Sequence, residues 1–107
     1  MKDFFVICDF NSDSFVRTLN SNTNDDYNFT GSEYNQVYQS LSSDEDFHAA
    51  IVWTRPEMVI PSFSQAINLK HMNTEDCMEE VDRFADSIIK MSKNVSYIFT
   101  ASWTYNL

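Results

Sequence analysis

Two short runs of unbroken apolar residues set the limits on this chain. Phe4-Phe5-Val6-Ile7-Cys8 and Ala49-Ala50-Ile51-Val52-Trp53 do not alternate apolar with polar side chains. A strand with one wet face alternates, whereas a strand covered on both faces reads as a continuous apolar run. Neither run approaches the roughly 18 apolar residues needed to span a bilayer. Each reads as a central strand of a parallel sheet, and parallel strands are joined by helical crossovers.

The remaining segments fit that frame. Residues 2–9 form the first strand. Ser12 or Asp13 caps a helix running to about Leu19, with Phe15, Val16 and Leu19 inward. Asn20 to Asp26 is a polar loop, and Tyr27 to Thr30 a short strand. After a turn at Gly31, Glu33 to Ser42 reads as a helix with Tyr34, Val37, Tyr38 and Leu41 on one face. Ser42 to Asp46 is an acidic loop. Pro56 takes the chain out of the sheet after the second apolar run. Pro61 to Leu69 reads as a short helix burying Phe63, Ala66 and Ile67. Asn73-Thr74-Glu75-Asp76 is a capping residue followed by acids, which opens a helix to about Lys93. Its apolar stripe is Met78, Val81, Phe84, Ala85, Ile88 and Ile89, and Val95 to Trp103 is the last strand. This order predicts one α/β domain over residues 1–107. It is a three-layer α/β/α sandwich with about four mostly parallel strands and right-handed crossovers.

Charge narrows the classes of partner. With 16 acids against 7 bases the net charge is −9, which repels phosphate backbones and anionic lipid. Neither nucleic acid nor membrane is an expected partner. Cys8 and Cys77 have no CxxC spacing and no neighbouring His cluster, so both read as reduced thiols of a cytoplasmic protein. The amino terminus has no basic-then-apolar signal segment.

The first strand stops at Asp9 and turns through Phe10-Asn11-Ser12-Asp13-Ser14. Open α/β sheets place ligands at the carboxyl ends of their strands. Asp9, Ser12 and Ser14 are therefore the weak catalytic candidates. Asp9, Asn11, Asn35 and Arg55 are the ligand-binding candidates, with Arg55 able to clamp a carboxylate or phosphate. Against this, Asn, Asp and Ser are also what turns and helix caps use, and Arg55 could simply pair with Glu57 or an acid of the first turn. Asp9-x-Asn11 also resembles the nucleophile loop of haloacid dehalogenases, but Asn cannot shuttle the proton that the second acid carries there. A receiver-type phosphoacceptor is missing too, since the second apolar strand delivers Thr54 rather than Asp. His48 and His71 read as surface residues, with no third ligand at metal-binding spacing. No metal and no cofactor is expected.

Three stretches carry a family resemblance: Asp9-Phe10-Asn11, Tyr34-Asn35-Gln36-Val37-Tyr38-Gln39-Ser40-Leu41, and Ile51-Val52-Trp53-Thr54-Arg55-Pro56-Glu57. Together with Ser102-Trp103-Thr104 they resemble the SGNH-hydrolase-like amino-terminal region of FkbH-like biosynthetic proteins. That resemblance implies a flavodoxin-like domain. In the family it precedes a haloacid-dehalogenase-like domain that passes a phosphorylated three-carbon acid to an acyl carrier protein. An SGNH hydrolase has a Gly-Asp-Ser turn. Here Cys8, Asp9 and Phe10 take those positions, and no Asp-x-x-His supplies a base. Serine catalysis needs nucleophile and base within hydrogen-bond reach. The expectation is a non-catalytic binding or scaffold module of an acyl, polyketide or polysaccharide type pathway. The alternative is an SGNH-type esterase or acyltransferase with an incomplete or displaced catalytic set. An acyl carrier protein or a partner catalytic domain are the expected partners, and a homodimer through the last strand is a further one. The chain is either a stand-alone domain or the amino-terminal part of a longer protein.

Overall fold

The computed structural model describes residues 2–68, 71, 73–101 and 103. The elements run β1 (Lys2–Cys8), α1 (Asp13–Asn22), β2 (Tyr27–Gly31), α2 (Val37–Leu41), β3 (Phe47–Trp53), α3 (Pro56–Val59), α4 (Pro61–Ile67), α5 (Thr74–Met91) and β4 (Val95–Thr100). The four strands form one sheet in the order β2-β1-β3-β4, and every pairing is parallel. The two continuous apolar runs are its two inner strands, as burial on both faces requires. In register, Phe4 lies beside Phe29 and Ala49, and Ile51 beside Phe99. The architecture is a flavodoxin-like three-layer α/β/α fold.

One face of the sheet carries the main core. Ile7, Ala50 and Val52 pack with Val37 and Leu41 of α2, Val59 and Ile60, and Cys77, Phe84 and Met91 of α5. Ile7, Leu41 and Ile60 are fully enclosed, and each such side chain contributes roughly 1.5–3 kcal/mol. Tyr38 and Trp103 close this core around Phe84, with the Phe84 and Trp103 rings stacked at 5.4 Å. The opposite face shows Val6 and Cys8 by strand alternation. There α1 lies over β2, with Val16 against Gly31. Trp53, Tyr97 and Phe99 remain about half exposed.

The long helix α5 begins as its sequence dictates. The Asn73 side chain accepts the N–H groups of Glu75 and Asp76, which satisfies two orphan donors of the first turn. Its buried stripe differs from the expected one. Cys77, Phe84 and Met91 are buried and Val81 and Ile88 half-buried, whereas Met78, Ala85 and Ile89 are exposed. Adjacent apolar residues at 77/78, 84/85 and 88/89 allow two phases. Burial of Met91 selects the one spaced 77-81-84-88-91.

Other boundaries move as well. The helix expected from Glu33 starts only at Val37, because Asn35 adopts φ 61° in the left-handed region and breaks a right-handed helix. Tyr34 is consequently 59% exposed instead of sharing a face with Tyr38. In α4, Phe63 is half-buried, but Ala66 and Ile67 face outward. Leu69 lies outside the described residues. Pro56 and Pro61 each occupy the first turn of a short helix, where the missing N–H costs nothing. The last strand ends at Thr100, short of Trp103. His48 sits inside β3, with its ring between Phe4 and Tyr97.

Candidate functional site

The chain leaves β1 toward β2 on one side, and β3 lies on the other. The crevice between the carboxyl ends of β1 and β3 is the topological switch point, where open α/β sheets take their ligands. Asp9, directly after β1, and Arg55, two residues past the end of β3, meet there. Asp9 is 5% exposed. Its Oδ2 accepts the backbone N–H of Arg55 at 2.7 Å and, at the long limit of 3.5 Å, the Arg55 Nε–H. This is the one ion pair among the described residues, and the Arg55 side chain is 58% exposed. The second apolar strand is thus stapled to the first through a carboxylate.

The serines of the turn divide. Ser12 is buried, and its hydroxyl donates to the Ser32 carbonyl at 3.3 Å. A Cβ on Gly31 would clash with the Ser12 Oγ and approach Val16 Cγ2 at 3.1 Å. The single glycine of the chain is therefore there for space. Ser14 is exposed on α1, where its carbonyl accepts the Thr18 hydroxyl. Asn11 is exposed, and its Oδ1 caps α1 by accepting the Asp13 N–H at 3.0 Å. The expected side-chain caps, Ser12 and Asp13, do not perform that task. Asn35 is exposed in the β2–α2 turn. Asp9 and Arg55 thus meet at the switch point, whereas Ser12 is turned toward the end of β2, against Ser32 and Gly31, and Asn11 stands at the head of α1.

No hydrogen bond joins Ser12 or Ser14 to an imidazole or carboxylate among the described residues. His48 stands at the amino end of β3, the opposite sheet edge, and His71 is exposed between α4 and α5. Burial pushes the Cys8 thiol up, and neighbouring Asp9 adds to this. The hydrogen bond from its Sγ to the Phe10 carbonyl (3.3 Å) opposes the shift only in part. Cys8 is a closed, protonated thiol rather than a nucleophile. Among the described residues no group of three His, Cys, Asp or Glu side chains could hold a metal ion.

Three features lay beyond the reach of sequence reasoning. Phe10, Phe15 and Trp53 form a cluster of edge-on rings beside the switch point, with centroids 5.3–6.4 Å apart. The sequence shows three aromatics but not their convergence. The Ser32 hydroxyl is enclosed without a hydrogen-bond partner among the described residues. A cleft of about 530 Å³ opens between α2, α3, α4 and α5, lined by Tyr38, Glu57, Met58, Val59, Glu80 and Arg83. Glu80 is already engaged there, accepting the Ser62 N–H at 2.9 Å. The Tyr38 hydroxyl donates to the Val59 carbonyl, and burial holds its pKa above the ordinary phenol value.

The geometry defines a class, a flavodoxin-like α/β/α domain with a carboxylate staple at its switch point. No family model, curated protein or solved structure matches the chain. No helix among the described residues is long and apolar enough to cross a membrane.

Proposed function

We propose that this chain is a non-catalytic, SGNH-like binding or scaffold module of a cytoplasmic biosynthetic system of acyl, polyketide or polysaccharide type. One observation carries the reading. The acid at the switch point is buried and its Oδ2 serves Arg55, while the buried Ser12 hydroxyl of the following turn serves a backbone carbonyl. Groups committed to holding the fold together are not free to move protons or attack a substrate. What the edge still offers outward is the Arg55 guanidinium, the Asn11 and Asn35 amides and the half-exposed Trp53 ring. Those groups suit recognition of a carboxylate or phosphate on a partner catalytic domain or on the prosthetic arm of an acyl carrier protein.

Two measurements test this reading. The intact protein is incubated with a fluorophosphonate probe and weighed by mass spectrometry, and the expected mass is unchanged. An adduct on Ser12 or Ser14 would replace the reading with an SGNH-type esterase or acyltransferase. In a separate NMR titration with phosphopantetheine, shifts at Asn11, Asn35 and Arg55 support the binding role. Unmoved resonances at millimolar ligand count against it.

A further inference from the structure

The cleft bordered by α2, α3, α4 and α5 is separate from the switch point, since neither Asp9 nor Arg55 lines it. Its volume of about 530 Å³ lies in the range of small-molecule sites, which combine apolar walls with a few convergent polar groups. The apolar part comes from Val59, which is buried, from the half-exposed Met58 and from the Tyr38 ring. The polar part is a set of charges of both signs: Glu57, Glu80 and Arg83.

Arg83 is the informative member. Glu79 and Glu80 precede it on α5 by four and three residues, the spacings at which helix side chains make ion pairs. Among the described residues Arg83 makes none, because the single ion pair there joins Asp9 and Arg55. Its guanidinium borders the cleft instead. The charges of Arg83 and Glu80 are both felt at the Tyr38 phenol, with opposite effect, so they face a common space. Glu80 gives one oxygen, Oε2, to the Ser62 N–H at 2.9 Å and keeps a second. Glu57 stands half-buried on α3.

We propose that this cleft binds a free α-amino acid with a large apolar side chain. Arg83 takes the carboxylate, for which its planar fork is suited. Glu57 and the second oxygen of Glu80 take the ammonium. The side chain lies on Met58, Val59 and the Tyr38 ring, and methionine adapts its shape to such a guest and favours aromatic neighbours. Charge selects the class. A phosphate or a dicarboxylate would meet two carboxylates on the walls, in a chain that already carries −9. A simple amine would satisfy the acids but bring a like charge to Arg83. A zwitterion answers both signs at once. The proposal stands apart from the reading of the switch point, and the failure of either leaves the other intact.

The test is an NMR titration of the full chain with three probes: L-phenylalanine, hydrocinnamate, which lacks the ammonium, and phenethylamine, which lacks the carboxylate. Millimolar L-phenylalanine should give saturable shifts at Tyr38, Met58 and Arg83, and each truncated probe should bind about tenfold more weakly or worse. R83Q should abolish the preference for L-phenylalanine over phenethylamine. E57Q should reduce its preference over hydrocinnamate. Arg83 is exposed and Glu57 half-buried, so circular dichroism should find both variants folded, and Glu80 is left unaltered because it holds the Ser62 N–H. Should a variant fail to fold, the ranking of the three probes on the unaltered chain decides. Unmoved resonances with L-phenylalanine, shifts confined to Asn11 and Arg55, a truncated probe that binds as well as the amino acid, or a ranking indifferent to R83Q and E57Q overturns the proposal.

Discussion

The buried carboxylate of Asp9 holds the backbone, rather than the side chain, of Arg55: its Oδ2 lies 2.7 Å from the Arg55 nitrogen and 3.5 Å from Nε. Asp9→Ala leaves a part-buried N–H without its carboxylate at the junction of β1 and β3 and should cost about 1–3 kcal/mol. Arg55→Ala keeps that N–H and removes only an exposed, long ion pair, for which about 0.5 kcal/mol or less is expected. Urea unfolding of both variants checks the order. Equal losses would mean that the ion pair carries the junction.

Gly31 and Ser12 should be energetically coupled. Gly31→Ala drives a methyl group into the Ser12 hydroxyl and toward Val16, an overpacking worth roughly 1–3 kcal/mol. Removing the hydroxyl first, in Ser12→Ala, relieves much of the clash. The double variant should then be less unstable than the sum of the singles, by about 0.5 kcal/mol or more. Strict additivity in a double-mutant cycle would refute the close approach.

The phase of α5 is open to direct test. Phe84 is 6% exposed between Tyr38 and Trp103, and Phe84→Ala should cost about 3–5 kcal/mol. Ile89 is 59% exposed, and Ile89→Ala should stay within about 0.5 kcal/mol. Thermal melts followed by tryptophan fluorescence separate the two. Comparable losses would put the helix in its other phase.

Stability should fall in alkaline solution. Cys8 and Tyr38 both have pKa values raised chiefly by burial, so at high pH the unfolded chain gives up these protons more readily than the folded one. A raised folded-state pKa contributes stability that is complete below the unfolded value and is lost as pH rises through the folded value. The decline begins at about pH 8.5, the ordinary thiol value, and continues beyond about 10, the ordinary phenol value. Cys8→Ser should remove the earlier part of it. Native thiol titration at pH 8 should find Cys8 unreactive, and rapid labelling would contradict its enclosure.

Much of the sheet was legible because continuous apolar runs, caps and prolines act locally. Phe4 to Cys8, Ala49 to Trp53 and the Asn73 cap announce themselves. Helix phase was less so, since 84/85 and 88/89 offer equal apolarity and only the packing of Met91 and Trp103 decides between them. Tyr34 was misplaced because the left-handed turn at Asn35 leaves little mark on composition. At the candidate site, Asp9 and Arg55 were visible as strand-end residues. Their bond was one of two pairings the sequence allowed for Arg55, and that it runs mainly to the Arg55 backbone was invisible. Asn20, whose side chain bonds both backbone groups of Phe29, gave no sign at all. Its role depends on α1 lying over β2, a relation between elements rather than a pattern within one.

The all-parallel order has a kinetic consequence. Lys2 pairs with Tyr27, Phe4 with Ala49 and Phe47 with Val95, so even the shortest of these pairings joins residues 25 apart (27 less 2). No hairpin can form early and template the rest. Loop closure must precede every strand contact, and β1, which pairs with both β2 and β3, joins the two sides of the sheet. Refolding should be slow for a chain of this size, and mutations in β1 should retard it more than mutations in the outer strands.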